Sequence, residues 1–545
     1  MEIYPVNMAI FTEDVIKRTI FGVIVLMAAT ALVFAGGKSD SAAGRTKPAE
    51  ITVEVFDRGT GGERSSPVSN NWTKWIQEKL LKDENIKVTF VPVPRQEETT
   101  VLNTMMTAGN APDICLTYDT TFIANYRNQD GLYDLSPHVE RLLPDLKKFL
   151  GPDPSIPGSD LIYRYRSGQT NRMYSIPARR TNTANYSTFI RKDWLDKLGL
   201  SLPKTRDEFY RVLVAFRDKD PGGVGKDRVA PFSWSPQWGP VNSMNSFIDP
   251  DISSRDIWIN YVIPDSGASW PTMPGIKEGY RWLNKLYNEG LIDPYFPLRN
   301  SGDWDKLQKS GLTGSFEAFY DHPYVNTPGI QKDLQAGIPG AEFVAIDCFT
   351  NAKGITSKLA FDVEGVHFFI PSYSKNPEAA MRYVNWLARF ENMYFLQFGP
   401  EGITHDMAEG IPQVKTVTGP WIQNSVLNLD YTIPVNGLYL GSDEKNKAAI
   451  VRRFTIRPDL AESAYKAAMT NTWSIPVVSA DLSVGGPYQQ TLKDKLKNFS
   501  TLAITGKPAD FDRLWDQGLA DWLASGAQAI IDERTAKYAA QYEHF

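Results

Sequence analysis

The sequence predicts an α/β fold built on a parallel sheet. Three observations carry this: strand-like alternating runs and helix-spaced runs succeed one another from residue 51 onward, the links between them are short, and 545 residues suffice for two or three such units. Right-handed crossovers then imply parallel pairing, with a ligand crevice at the carboxyl ends of the strands.

Ile51, Val53 and Val55 alternate with polar residues as a first strand. Trp72, Trp75, Ile76 and Leu80 follow at helical spacing. Ile86, Val88 and Phe90 make a second strand, 96–108 reads as a helix, and Asp113-Ile114-Cys115-Leu116 is a short third strand after Pro112. The loops leaving these strands carry Asp57-Arg58-Gly59-Thr60-Gly61-Gly62-Glu63-Arg64 and Thr117-Tyr118-Asp119. Arg64 stands where a dinucleotide loop has its third glycine, and no Gly-Lys-Ser/Thr follows, so the first loop fits a crevice for a neutral polar ligand better than a nucleotide site. Thr205-Arg206-Asp207-Glu208 is a capping box ahead of Phe209, Val212, Leu213 and Phe216. Ile276, Tyr280, Leu283 and Tyr287 form a helix stopped by Gly290. Asn376-Pro377 opens a helix carrying Met381, Val384 and Leu387, and 511–542 reads as helical with Leu514, Trp515, Leu519 and Trp522 on one side.

Charge is nearly balanced, 58 Lys+Arg against 63 Asp+Glu for a net −5, with no basic run, which argues against a nucleic-acid partner. Two cysteines make no disulfide framework, and five scattered histidines offer little for a metal; no cofactor is expected. Cys115 and Cys348 read as buried thiols rather than a bridge.

Lys17-Arg18 precedes an apolar run from Thr19 to Phe34, the length of a signal-peptide core and short of a membrane span. Val33-Phe34-Ala35 ahead of Gly36 fits a cleavage site, so 1–35 is read as a signal peptide and 36–50 as a flexible leader. The protein is expected to be exported, periplasmic or extracytoplasmic.

Tryptophan is unevenly spread. Trp234, Trp238, Trp258, Trp270, Trp282 and Trp304 fall within one short stretch of a chain that has 14 in all. Trp282 sits on a helical apolar face. Trp234, Trp238 and Trp270 lie among prolines, glycines and serines, where rings beside polar groups suit the C–H faces of sugars.

Several segments then occur in a telling order. Thr107-Ala108-Gly109-Asn110-Ala111-Pro112-Asp113-Ile114, Gly131-Leu132-Tyr133-Asp134-Leu135 and Met173-Tyr174-Ser175-Ile176-Pro177 are followed by Ile190-Arg191-Lys192-Asp193-Trp194-Leu195-Asp196-Lys197-Leu198-Gly199-Leu200 with Pro203-Lys204-Thr205. Leu286 to Pro294, Asn376 to Ala380 with Trp386-Leu387, and Gly399-Pro400-Glu401-Gly402 complete the series. Over roughly 50–540 the chain resembles family 1 of the extracellular solute-binding proteins of ABC importers, in the large lipo-type branch whose usual cargo is oligosaccharide.

The resemblance implies a type II periplasmic-binding-protein clamshell, two α/β lobes joined by a multi-strand hinge. It implies an N-terminal lobe of 51–178 and 366–473 and a C-terminal lobe of 179–365 and 474–545. The first hinge strand should follow Tyr174-Ser175-Ile176-Pro177, with recrossings near 365–369 and 473–487. A monomer delivering carbohydrate to permease subunits is expected, and no catalysis.

The chain departs from the family twice. No lipobox cysteine follows the apolar run, where Gly36 stands. The calcium loop common in the branch is degenerate: Asp218, Asp220 and Asp227 remain, but Gly222 and Val224 replace oxygen-bearing residues, so a glycine-rich turn is the favoured reading. The ligand-binding candidates are Arg58, Tyr118 and Asp119 in the first lobe, Arg179 and Arg180 at the hinge, and Trp234, Trp238, Trp270, Glu317 and Tyr320 in the second. Two rival classes share the export signal: a secreted glycoside hydrolase using carboxylates such as Glu317, Asp321 and Glu401, and an extracytoplasmic sugar sensor partnering a membrane receptor.

Overall fold

A computed structural model describes residues 47–58, 66–152, 160–167, 170–236, 239–262, 270–325, 329–415, 417–452, 454, 456–475, 484 and 488–542. The signal peptide, most of the leader, the glycine-rich loop from Gly59 and Trp238 lie outside the described residues. The elements below all belong to the unit Pro48–Phe545.

The strands in chain order are β1 (Ala49–Asp57), β2 (Ile86–Pro94), β3 (Cys115–Thr117), β4 (Ser175–Arg180), β5 (Tyr186–Arg191), β6 (Ala230–Trp234), β7 (Thr313–Phe319), β8 (Phe343–Ile346), β9 (Lys358–Leu359), β10 (Glu364–Phe369), β11 (His405–Ala408), β12 (Ile411–Val414), β13 (Val435–Asn436) and β14 (Thr472–Trp473). In the first lobe β1 and β2 run parallel with Val53 opposite Phe90. A parallel bridge from Val53 to Ile114 brings β3 alongside, and hydrogen bonding continues in the order β3, β10, β4, β13. The alternating apolar residues of β1 and β2 meet Trp72, Ile76 and Leu80 of helix Asn71–Glu84, and Val384 and Trp386 of helix Pro377–Leu387. Asn70 starts the former helix by accepting from the Trp72 and Thr73 amides, which satisfies two of its open N–H groups.

The second lobe holds the sheet β6-β7-β5-β8, with β6 parallel to β7 and β5 antiparallel to both neighbours. Helix Arg206–Lys219 packs its expected face there, capped by Thr205; the Glu208 carboxylate returns to the Lys204 amide rather than to the cap residue's own. Helix Ile276–Asn288 gives way to Gly290 at φ 70°, a left-handed turn that glycine takes without strain. The C-terminal region is helical to Tyr542 but is not one rod. Phe511–Trp522 and Gln528–Tyr542 are separated at Leu523–Ala527, where Gly526 has φ 123° and a Cβ would meet the Tyr488 ring at 2.4 Å.

Three chain crossings, laced by main-chain hydrogen bonds, join the lobes. Beyond β4, the Arg180 amide donates to Val363 O at 2.7 Å and the Thr181 amide to Asn436 O at 3.1 Å; between β9 and β10, the Phe361 amide donates to Thr183 O at 3.0 Å. The third leaves the first lobe at Asn436, and Trp473, expected to begin it, instead pairs in β14 with β9 and packs in the second lobe's core. Helix Pro458–Met469 likewise lies against β5 and β8, with Ala464 and Ala468 sharing a core with Phe189 and Phe343.

Candidate functional site

The carboxyl ends of β1, β2 and β3 converge, as a parallel sheet requires, and deliver Arg58, Arg95 and Tyr118 to one place. The rings of Phe56 and Tyr118 lie nearly parallel, 6.3 Å apart and 20° from coplanar. Arg95 lies over both, 5.0 Å from the Phe56 centroid and 4.7 Å from that of Tyr118, and Arg58 flanks Phe56 at 5.6 Å. Such cation–π contacts hold the guanidiniums flat while their edges stay available.

Each arginine has an acidic partner. Arg58 reaches Asp430 through Nε at 3.0 Å and Nη2 at 2.9 Å. Asp430 is buried and also accepts from the Asn424 amide at 3.1 Å. Burial works against the Arg58 cation, and Asp430 more than offsets it, so its pKa is raised. Arg95 Nη1 donates to Glu98 Oε2 at 2.6 Å. Burial raises Glu98 above the usual carboxylate range although the Arg95 charge opposes the shift.

From Tyr118 the polar surface continues onto the hinge. Its hydroxyl accepts from Asn436 Nδ2 at 2.9 Å. That reach needs Gly365 beneath it, since a Cβ at 365 would stand 2.6 Å from the Asn436 Cβ. Asn436 is the β13 neighbour of Arg180 on β4, and paired residues of adjacent strands project to the same face. Arg180 stacks on Phe361 at 4.5 Å and donates through Nε to Glu364 O at 3.2 Å. Phe361 meets Phe319 of the second lobe at 5.7 Å, which in turn meets Tyr186. Behind this line Glu364 is fixed by Arg164, Tyr165 and His367. Burial alone would raise its carboxyl, but His367 and Arg164 hold it below its ordinary range.

The residues expected from sequence divide sharply. Arg58, Tyr118 and Arg180 belong to this surface. Asp119 is beside it but works as the cap of helix Thr120–Asn128, one oxygen accepting from the Thr121 and Phe122 amides. Arg179 alternates to the opposite face of β4, where it donates to Gly151 O at 2.8 Å and lines a separate cavity of about 700 Å³ with Phe149, Phe390 and Tyr439.

Trp234, Trp270, Glu317 and Tyr320 are buried. Trp234 is 6% exposed against Phe232 and Phe296, and Trp270 is 2% exposed between Tyr261 and Trp473. Of the described residues in the tryptophan-rich stretch, Trp234, Trp258, Trp270 and Trp304 are buried. Tyr320 is packed by Phe454 and Tyr465, its hydroxyl accepting from Asn182 at 2.9 Å. Glu317 is fully buried and accepts from the Asn242 and Ser243 amides, at 2.8 and 2.9 Å, which start the short helix Val241–Asn245.

Burial pushes Glu317 up to about 7 despite those donors. Its folded pKa exceeds its unfolded one, so the proton is held more tightly in the folded state. Stability from this group is complete below pH 4.5 and is lost as pH rises through 7, by up to about 3 kcal/mol. Glu317→Gln keeps one of the two acceptor oxygens and removes the titration. Urea denaturation at pH 5 and pH 8 should show a smaller loss of stability in the variant than in the wild type; equal losses would refute this.

The degenerate acidic loop forms no cluster. Asp218 pairs with Arg217, and both Asp220 oxygens accept from the Val224 and Gly225 amides. Asp227 lies in the following turn Lys226–Arg228. Among the described residues no group of three His, Cys, Asp or Glu side chains could hold a metal. Cys115 and Cys348 are free, buried thiols, each raised by burial. Sequence reasoning missed Arg95, Phe361, Asp430 and Asn436. Arg95 follows a predicted strand directly, the same signal that marked Arg58 and Tyr118; the others sit in a loop or at hinge crossings too short for any periodicity.

Two α/β lobes joined by three crossings, with aromatic and polar side chains gathered at the hinge ends of the strands, define a clamshell ligand-binding protein. The chain belongs to the bacterial extracellular solute-binding protein family, whose model matches residues 66–393. It is 23% identical over 519 residues to Lipoprotein LipO of Bacillus subtilis (strain 168), covering 92% of this chain and 94% of that one. The fructooligosaccharide ABC transporter substrate-binding protein FusA of Streptococcus pneumoniae serotype 4 (strain ATCC BAA-334 / TIGR4) is 24% identical over 388 residues, covering 66% of this chain and 67% of that one. In structure the chain is similar to the alginate-binding protein AlgQ2 without calcium ion, at TM-score 0.63 and 19% identity over 91% of this chain and 98% of the other, a likeness of fold. FusA and AlgQ2 are named for binding, not catalysis. Among the described residues no helix is long and apolar enough to cross a membrane.

Proposed function

We propose that this protein is the substrate-binding component of an ABC importer and captures an oligosaccharide between its lobes. The observation that carries the reading is the continuous surface from Phe56, Arg95 and Tyr118 across Asn436 to Arg180 and Phe361. Planar rings offer faces to sugar C–H groups, while amide, hydroxyl and guanidinium edges match vicinal hydroxyls. Closure about the hinge expels water from this surface, and the ligand's tighter binding to the closed form shifts the population toward it.

In this reading the first lobe comprises 48–180 and 364–436, and the second 184–359 and 438–542. The protein acts as an exported monomer, cleaved near Ala35-Gly36 and without a lipid anchor at that position, handing its sugar to permease subunits. Of the carboxylates a hydrolytic role would draw on, Glu317 is sealed in the core. A thermal-shift screen of the mature chain against fructans, glucans, mannans and uronate oligomers should raise the melting temperature for at least one class, with no products released. A melting temperature unmoved by every saccharide would reject the reading, and released products would favour the hydrolase.

A further inference from the structure

Among the described residues along the cleft, every arginine but one has a carboxylate partner. Arg58 is matched by Asp430, Arg95 by Glu98, and Arg164 by Asp362 and Glu364. Arg180, at the centre of the hinge, has its Nε on the Glu364 carbonyl and its face on Phe361. Among the described residues no carboxylate lies within ion-pair distance of it, and its two Nη groups donate to no protein atom. It shares a face with Asn436 and is half-buried, so it points along the same surface as Tyr118.

A guanidinium so placed has a definite requirement. With the lobes open, water solvates its free edge. Closing them over a neutral sugar would strip that water and leave a cation with hydroxyl partners only, which is costly in a low-dielectric cleft. A carboxylate removes the cost, because its two oxygens match the planar donor fork in charge and geometry. The neutralised pairs at Arg58 and Arg95 call for no further anion and suit hydroxyls.

We propose that Arg180 binds the carboxylate of a uronic acid residue, so that the ligand is an acidic saccharide carrying its charge at the hinge while its neighbouring rings meet the Tyr118 side. This rests on the cleft being a carbohydrate site.

Calorimetry on the mature chain, with galacturonate, glucuronate and mannuronate oligomers, their methyl esters, and neutral fructooligosaccharides, tests it. One uronate series should bind roughly tenfold to a hundredfold more tightly than its ester. Arg180→Gln should shrink the ratio of uronate to ester affinity to about threefold or less, whatever it does to the ester's own affinity, and Arg180→Lys should restore only part of that ratio. A neutral saccharide bound without preference for any uronate, or a preference that survives Arg180→Gln, overturns the proposal while the carbohydrate reading stands. No saccharide bound by a chain of native circular dichroism overturns both.

Discussion

Trp270→Ala should lower the free energy of unfolding by about 3–5 kcal/mol, the range for removing a large aromatic side chain from a core. The indole is edge-on to Tyr261 at 5.3 Å and to Trp473 at 6.0 Å, inside the cluster that also holds Met273, Val262 and Leu359. Its Nε1 has no hydrogen-bond partner among the described residues, so the loss is one of packing and cavity formation alone. Trp270→Phe, which refills most of the space, should recover much of it. Denaturant midpoints report the change, and saccharide affinity per folded molecule should be unaltered. If instead Trp270→Ala kept its midpoint and lost its ligand, the ring would belong to the binding surface after all.

That expectation reverses what residue type and neighbourhood suggest, and the reversal is instructive. A tryptophan among Gly, Pro and Ser looks exposed because its neighbours build loops, but nothing local says whether a loop is roofed by a distant segment. Here the roof comes from Trp473, some two hundred residues on, in a two-residue strand with no period to detect. The same limit explains the third hinge crossing: β13 is also two residues long, so Asn436 carried no signal, whereas Trp473 and the apolar residues after it did. By contrast β2 and the helix Asn71–Glu84 were legible because each is half-buried along its length, and half-burial imprints its period on the chain; in β1 the alternation holds only as far as Val53, after which Glu54, Val55 and Phe56 are all buried. Arg58 and Tyr118 followed from strand ends, a rule of topology. Glu317 misled because a buried carboxylate capping a helix and a ligand-binding one are the same residue type; only its two amide donors tell them apart.

The binding surface itself should depend most on Tyr118. Its ring is the platform beneath Arg95 and beside Phe56, and its hydroxyl is the acceptor that ties the first lobe to Asn436 at the hinge. Tyr118→Phe removes the tie alone, leaving the Asn436 amide a donor that water or ligand can satisfy, and should weaken saccharide binding by about fivefold to tenfold. Tyr118→Ala removes the ring as well, and with it the seat that keeps the Arg95 guanidinium flat. The lost stacking and cation–π contacts, about 1–3 kcal/mol together beyond the hydroxyl, bring the expected weakening to roughly a hundredfold or more. Because Tyr118 is only half-buried, neither change opens a sealed cavity, and the melting temperature of the ligand-free chain should move far less than in Trp270→Ala. Calorimetry and melting run side by side separate the two residues: Trp270 should govern stability with affinity intact, and Tyr118 affinity with stability nearly intact. A Tyr118→Ala chain that binds its saccharide as the wild type does would move the site off this surface altogether, since Arg58, Arg95 and Asn436 all converge on that one ring.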